Sequence, residues 1–171
     1  IVHARKAWLN GLSPRENREV PPLHYDLVYR LKAERPDLHI SINGGIETLG
    51  ETSTHLEHVD GVMLGRVAYQ NPYVLAGVDQ QFYDDGAPVR TRHEIVDAYL
   101  PYIEREIASG THLIGITRHI LGLFNGLPGA RAWRRYLSEN APGFDGSAAE
   151  AVTLVQTAAE FVRPEHETAA A

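Results

Sequence analysis

Leu38-His39-Ile40-Ser41-Ile42 runs straight into Asn43-Gly44-Gly45, and in the next structural unit Val59-Asp60-Gly61-Val62-Met63-Leu64 runs straight into Gly65-Arg66. Both are short β-rich runs that end on glycine. A third run, residues 1–4, ends on Ala4 with His3 just before it. Helical patterns separate these runs, and that alternation is the sign of βαβ units and a parallel sheet. Glycines let the backbone approach a ligand closely and adopt φ values other residues avoid. Two consecutive strand ends carrying glycine, the second followed by arginine, match the phosphate site of many (β/α)8 barrels, which uses the loops after strands seven and eight. Backbone N–H groups and the Arg66 guanidinium would hold a phosphate there through charge-assisted bonds. Either stretch alone reads better as a tight turn or a solvated arginine; their matching positions favour the phosphate site. His3 reads equally as ligand-facing or structural.

The helix after the first strand is expected over residues 24–34, with Leu27, Val28 and Leu31 as its apolar stripe and Pro36 closing it. A second is expected over residues 48–57, with Thr48 and Glu51 as a capping box. A third is expected to start at Asn71-Pro72, Asn71 capping and Val74, Leu75 and Val78 buried. Residues 13–22 form a polar loop longer than the common βα connection, and long loops at that end of a parallel strand tend to be functional.

After residues 84–88 the strand-like runs stop. Amphipathic helices follow at 94–109, with Ile95, Tyr99, Tyr102, Ile103 and Ile107 on one side and Pro101 as a kink, then at 112–124, 130–138 and 148–162. The expected organisation is an α/β barrel part over residues 1–85, an all-α helical bundle over 90–163 and a disordered tail over 164–171.

The 171 residues are 43% apolar and 22% charged, a globular composition with one sizeable core or two. The chain starts on Ile1 and its single methionine is Met63, so a preceding segment is expected. No apolar run is long enough for a signal peptide or a membrane span. With no cysteine, disulfides, thiolate metal sites and a catalytic cysteine are excluded within these residues, and a cytoplasmic location fits. The nine histidines are scattered, and His55 with His58 falls on a helix expected to be exposed, so no metal site is expected. There is no Gly-x-Ser-x-Gly elbow, Gly-x-Gly-x-x-Gly fingerprint or P-loop, which disfavours a serine hydrolase, a Rossmann domain and a nucleotide triphosphatase. Net charge is −6, yet residues 107–138 contain Arg118, Arg131, Arg134 and Arg135 and no Asp or Glu. Arg131, Arg134 and Arg135 share a helical face that reads equally as an RNA-backbone grip or a solvated surface.

Several motifs occur in order along the chain: Ile-Val-His-Ala-Arg-Lys-Ala-Trp-Leu from Ile1, Gly-Leu-Ser-Pro-Arg-Glu-Asn-Arg-Glu-Val-Pro-Pro-Leu from Gly11, and Ile-Asn-Gly-Gly-Ile from Ile42. Asp-Gly-Val-Met-Leu-Gly-Arg-Val-Ala-Tyr-Gln-Asn-Pro follows from Asp60, and Gly-Ala-Arg-Ala-Trp-Arg-Arg-Tyr-Leu-Ser-Glu-Asn from Gly129. Together they resemble the A-type tRNA-dihydrouridine synthases over residues 1–162. That resemblance implies strands six to eight of an FMN-binding TIM (β/α)8 barrel followed by a helical tRNA-binding domain. It implies NADPH-dependent reduction of the C5–C6 bond of D-loop uridines 20 and 20a in tRNA, by a monomeric cytoplasmic flavoprotein with tRNA as its partner. By position, His3, Asn43, Gly44, Gly45, Gly65 and Arg66 match the family's FMN-binding residues, and Arg15, Arg18, Arg131 and Arg134 its tRNA-contacting ones. The family's N-terminal half-barrel, with an FMN-binding lysine and the proton-donating cysteine, has no counterpart here. No catalytic residue is therefore assigned in this chain, and alone it is expected to be inactive. Two other readings are a non-catalytic RNA-binding module, and a flavin oxidoreductase for small substrates, which the acid-free arginine zone disfavours.

Overall fold

A computed structural model describes residues 1–8, 10–84 and 86–163. The tail over 164–171, expected to be disordered, lies outside the described residues. The chain divides into two compact units, Ile1–Ala68 and Tyr69–Ala171.

In the first unit three strands, β1 (Val2–His3), β2 (Ser41–Asn43) and β3 (Gly61–Val62), form a parallel sheet in sequential order. Parallel neighbours need a crossover connection. Helices α1 (Tyr25–Glu34) and α2 (Leu49–Leu56) supply the two crossovers, so the unit is two consecutive βαβ units as expected. Val28 of α1 and Ile42 of β2 are buried in one cluster with Ala4, Ile40, Ile46 and Val59. Each valine or isoleucine among them contributes roughly 1.5–3 kcal/mol on burial. Thr48 caps α2 as expected, its hydroxyl accepting from Glu51 N while the Glu51 carboxylate accepts from Thr48 N.

The strands are shorter than the apolar runs that announced them. Leu38 N donates to Arg35 O, and Ile40 N to the Asp60 carboxylate at 2.8 Å, so neither amide joins the ladder, while Ile40 O still accepts from Asp60 N at 3.0 Å. Val59 N instead donates back to His55 O at the end of α2. Lys32 of α1 fixes this arrangement, its ammonium 2.8 Å from the same Asp60 oxygen and donating to Leu38 O. Hydrogen bonding from Ile40 N and Lys32 holds the Asp60 carboxyl below its ordinary range.

The change in composition near residue 85 does not coincide with the division in packing, which falls within the short helix α3 (Arg66–Gln70). Residues 69–84 instead pack with the helices that follow: Tyr73 lies against their core, with the Arg92 guanidinium 3.7 Å over its ring. The helix expected from Asn71 is a 3-10 segment, Pro72–Gly77, followed by α4 (Val78–Phe82). Pro72 holds its expected first position, but the Asn71 side chain makes no cap and its Oδ1 is buried without a partner. The stripe expected there is not buried; Leu75 is 46% exposed.

The second unit continues with α5 (Arg92–Ala108), α6 (Leu113–Thr117), α7 (Ala130–Asn140) and α8 (Ala148–Glu160), an all-α arrangement. Capping boxes at Thr91 and Ser147 start α5 and α8. Helix α5 runs through Pro101; of its expected stripe Ile103 is fully buried and Ile95, Tyr99 and Ile107 pack partly buried against the same core, while Val96 and Leu100, outside that stripe, are buried beside Ile103. Tyr102 is partly exposed and stacks on Tyr99. The helix expected over 112–124 stops at Thr117 and gives way to successive turns. Within these turns the backbone comes close to that of Gln70: a Cβ on Gly122 would stand 2.1 Å from Gln70 O. Trp133 of α7 is fully buried, edge-on to Phe124, in a core shared with Val155 of α8.

Gly129 starts α7 at φ +93°, and a Cβ there would stand 2.0 Å from Phe161 O. Gly129→Ala is therefore expected to cost more than about 2 kcal/mol through strain and overlap together, against about 1 kcal/mol for Ser147→Ala, which loses a single cap. Urea denaturation followed by tryptophan fluorescence measures both; equal losses would show that the Phe161 backbone yields freely.

Candidate functional site

The parallel register pairs His3 with Asn43 and Ile42 with Val62, so His3, Asn43 and Met63 stand in a row across the C-terminal ends of the three strands. Their side chains are linked. Asn43 Nδ2 donates to Met63 Sδ at 3.0 Å, which turns Asn43 Oδ1 towards His3 Nδ1, 2.9 Å away. With an amide oxygen as partner, Nδ1 carries the proton, which leaves Nε2 as the second ring nitrogen.

Above this row opens a cleft of about 190 Å³. Six residues expected to hold a phosphate-bearing cofactor, His3, Asn43, Gly44, Gly45, Gly65 and Arg66, all line it, as does Arg18 from the polar loop. Gly44 and Gly45 have φ +116° and +69°, and a Cβ on Gly45 would stand 2.7 Å from Leu23 Cδ1, so both the backbone and the space require glycine. The main-chain amides of Gly44, Gly45, Gly65 and Arg66 have no acceptor among the described residues. The amide of Glu47, which also lines the cleft, is by contrast taken by the Glu51 carboxylate. Unclaimed amides beside two guanidinium groups form a donor set that suits a phosphate monoester.

The polar loop is built rather than loose. Asn17 clamps it, accepting from Trp8 N at 2.7 Å and donating to Trp8 O at 3.0 Å. Arg5 donates to the carbonyls of Glu19 and Pro21. The loop's short 3-10 turn, Glu16–Arg18, brings Arg18 to the cleft. Arg15 does not reach it: its side chain is 81% exposed and lies 3.8 Å from Glu19. Glu19 also meets Arg66 at 3.4 Å. Exposed pairs of this kind are worth about 0–1 kcal/mol, so an incoming anion displaces Glu19 from Arg66 at small cost.

On α7, Arg131 and Arg135 are exposed and have no ion-pair partner among the described residues. Arg134 is part-buried, and its Nη1 donates to Asn125 Oδ1 at 2.7 Å while Asn125 Nδ2 donates to Gln70 O. The three arginines therefore do not act as one solvent face.

A family model described as "Dihydrouridine synthase (Dus)" matches residues 1–160. The chain belongs to the dihydrouridine synthase family. A tRNA-dihydrouridine(20/20a) synthase from Shewanella oneidensis is 60% identical over 154 residues, covering 90% of this chain and 46% of the relative. Those from Yersinia pestis and Escherichia coli K12 are 54% and 60% identical, covering 96% and 82% of this chain and 47% and 41% of the relatives. The chain thus spans about half the length of the curated relatives it matches. Among the described residues no helix is long and apolar enough to cross a membrane, and no group of three or more His, Cys, Asp or Glu could hold a metal.

Residues behind the cleft escaped the sequence reading. His55 is 5% exposed, where an exposed helix face was expected. Its ring lies edge-on to Tyr25, centroids 4.5 Å apart, and its Nδ1 is 2.6 Å from Tyr29 Oη. The available signal was tyrosines four apart on α1 facing histidine on α2, which periodicity weighs as polar. Burial pushes the His55 pKa below its ordinary value, with His58 adding to the shift and Glu51 opposing it. A histidine depressed in the folded state resists a proton that the unfolded chain accepts. Its stabilising effect is thus complete above the ordinary value of about 6.5 and is lost as pH falls through the lower folded value. Stability measured by urea denaturation is expected to decline from pH 7.5 to 5, with a shallower decline in His55→Gln; an unchanged slope would move the effect to other histidines.

Proposed function

We propose that this chain is the part of a tRNA-dihydrouridine synthase that comprises strands six to eight of its (β/α)8 barrel and the following helical domain. On this reading β1, β2 and β3 are those three strands, and the cleft above His3, Asn43 and Met63 seats the phosphate of FMN. The observation that carries the reading is the convergence on one cleft of unclaimed amides from two successive strand ends with Arg18 and Arg66. Bound FMN, reduced by NADPH, supplies hydride to the C5–C6 bond of uridine.

The chain's own residues do the holding. Gly44, Gly45 and Gly65 donate main-chain N–H to phosphate oxygens, Arg66 exchanges Glu19 for the dianion, and His3, oriented by Asn43, offers its second ring nitrogen. Arg15, exposed on the clamped loop, contacts the tRNA backbone, and Arg18 serves at the same loop. Arg131 adds a phosphate contact from α7, and Arg134 supports it by holding Asn125. The uridines at positions 20 and 20a, named in the relatives, are the proposed substrates, presented by flipping from the tRNA fold. A monomer in the cytoplasm completes the proposal. The alternative of a non-catalytic RNA-binding module has less support, since it leaves the glycine-lined cleft without a purpose.

The test is dihydrouridine formation on unmodified tRNA by the protein expressed from its complete reading frame with FMN and NADPH; no dihydrouridine, with tRNA still bound, would favour the RNA-binding alternative. In the same protein, Arg131→Ala is expected to weaken tRNA binding and to reduce its dependence on log salt by about one unit. An unchanged slope would remove Arg131 from the tRNA surface.

A further inference from the structure

The turn that lines the cleft is held from behind by residues outside it. Gly44 and Gly45 both sit at positive φ, a backbone with few intrinsic restraints. Among the described residues one side-chain bond ties this turn down: Tyr25 Oη donates to Gly44 O at 2.7 Å, part-buried. Tyr25 is not among the residues that line the cleft, so it acts on the turn and not on a ligand.

Tyr25 is itself fixed at both ends. Its backbone opens α1 directly after Leu23 and His24, which are tied to the end of β1: His24 N donates to Ala4 O at 2.6 Å and Leu23 bridges Arg5. Its ring packs edge-on against His55 of α2, which is held in turn by Tyr29 Oη. Both crossover helices thus converge on one carbonyl. Burial, then Glu51 and Tyr29, push the Tyr25 hydroxyl above its ordinary value, so it remains a protonated donor throughout the neutral range.

We propose that Tyr25 is a positioning residue for the phosphate seat: by holding the Gly44 carbonyl, with His55 behind it, it keeps the Gly44–Gly45 turn, whose amides have no acceptor among the described residues, in the conformation that lines the cleft. This rests on the reading of the cleft as a phosphate seat. Without the hydroxyl, the two glycines relax among the many conformations open to them. The amides are then no longer preorganised for the anion, and affinity falls although no contact with ligand has been removed.

FMN and riboflavin differ only in the phosphate, and comparing them separates positioning from general damage. With the protein expressed from its complete reading frame, titration followed by flavin fluorescence is expected to show wild type binding FMN more tightly than riboflavin. Tyr25→Phe keeps the ring against His55 and is expected to lower FMN affinity about five-fold, the scale of one lost hydrogen bond, while riboflavin affinity stays within about two-fold. A fall in both affinities together would make Tyr25 a merely structural residue and overturn the proposal, as would an unchanged FMN preference. If wild type itself does not distinguish FMN from riboflavin, the phosphate-seat reading fails, and this inference fails with it.

Discussion

Parallel pairing in register is the constraint on which the first unit depends. Because His3 lies opposite Asn43, and Met63 is the next residue after the Ile42–Val62 pair, three side chains distant in sequence meet at one edge of the sheet. Each strand must end there, and the chain must turn away by glycine at two of the three ends. A shift of one residue in any strand would send these side chains to the opposite face. The Asn43 amide, bonded to His3 on one side and Met63 on the other, reads that register directly.

The same geometry leaves the cleft with donors and few acceptors. A parallel sheet's end exposes main-chain amides that no further strand residue claims, and here two arginines stand beside them. Nearby carboxylates are mostly engaged elsewhere: Glu51 in the α2 cap, Asp60 with Lys32, and Glu16 with Ser13. Glu19, facing Arg66 and Arg15, is the acidic group that an anion would displace, and both its pairs are exposed and therefore weak. An acidic chain thus presents a locally cationic hollow.

The second unit follows a different logic. Its helices are fixed by a buried apolar cluster around Trp133, by capping boxes that begin α5 and α8, and by His93, whose Nε2 meets Ala159 O and Val162 O at the end of α8. Arg134 belongs partly to this framework through Asn125, whereas Arg131 and Arg135 reach solvent. One basic triplet therefore divides between support and surface, which spacing along a helix cannot reveal.

Local chemistry made the three strand positions, the helices α1, α2, α5, α7 and α8, the Thr48 capping box and the six cleft residues legible from sequence, because strand ends followed by glycine and a Thr three residues before Glu each have a meaning within a few residues. Where an outcome depended on a distant partner, the sequence was silent or misleading. Arg35 O and the Asp60 carboxylate claim the amides of Leu38 and Ile40, the helix after His112 stops at Thr117, and Asn71 forms no cap. His55 is buried because Tyr25 and Tyr29 surround it. The sequence by itself determined which residues could line the cleft; only tertiary packing decided that Tyr25 would hold the Gly44 carbonyl, because that contact requires α1, α2 and the end of β2 to meet at one point.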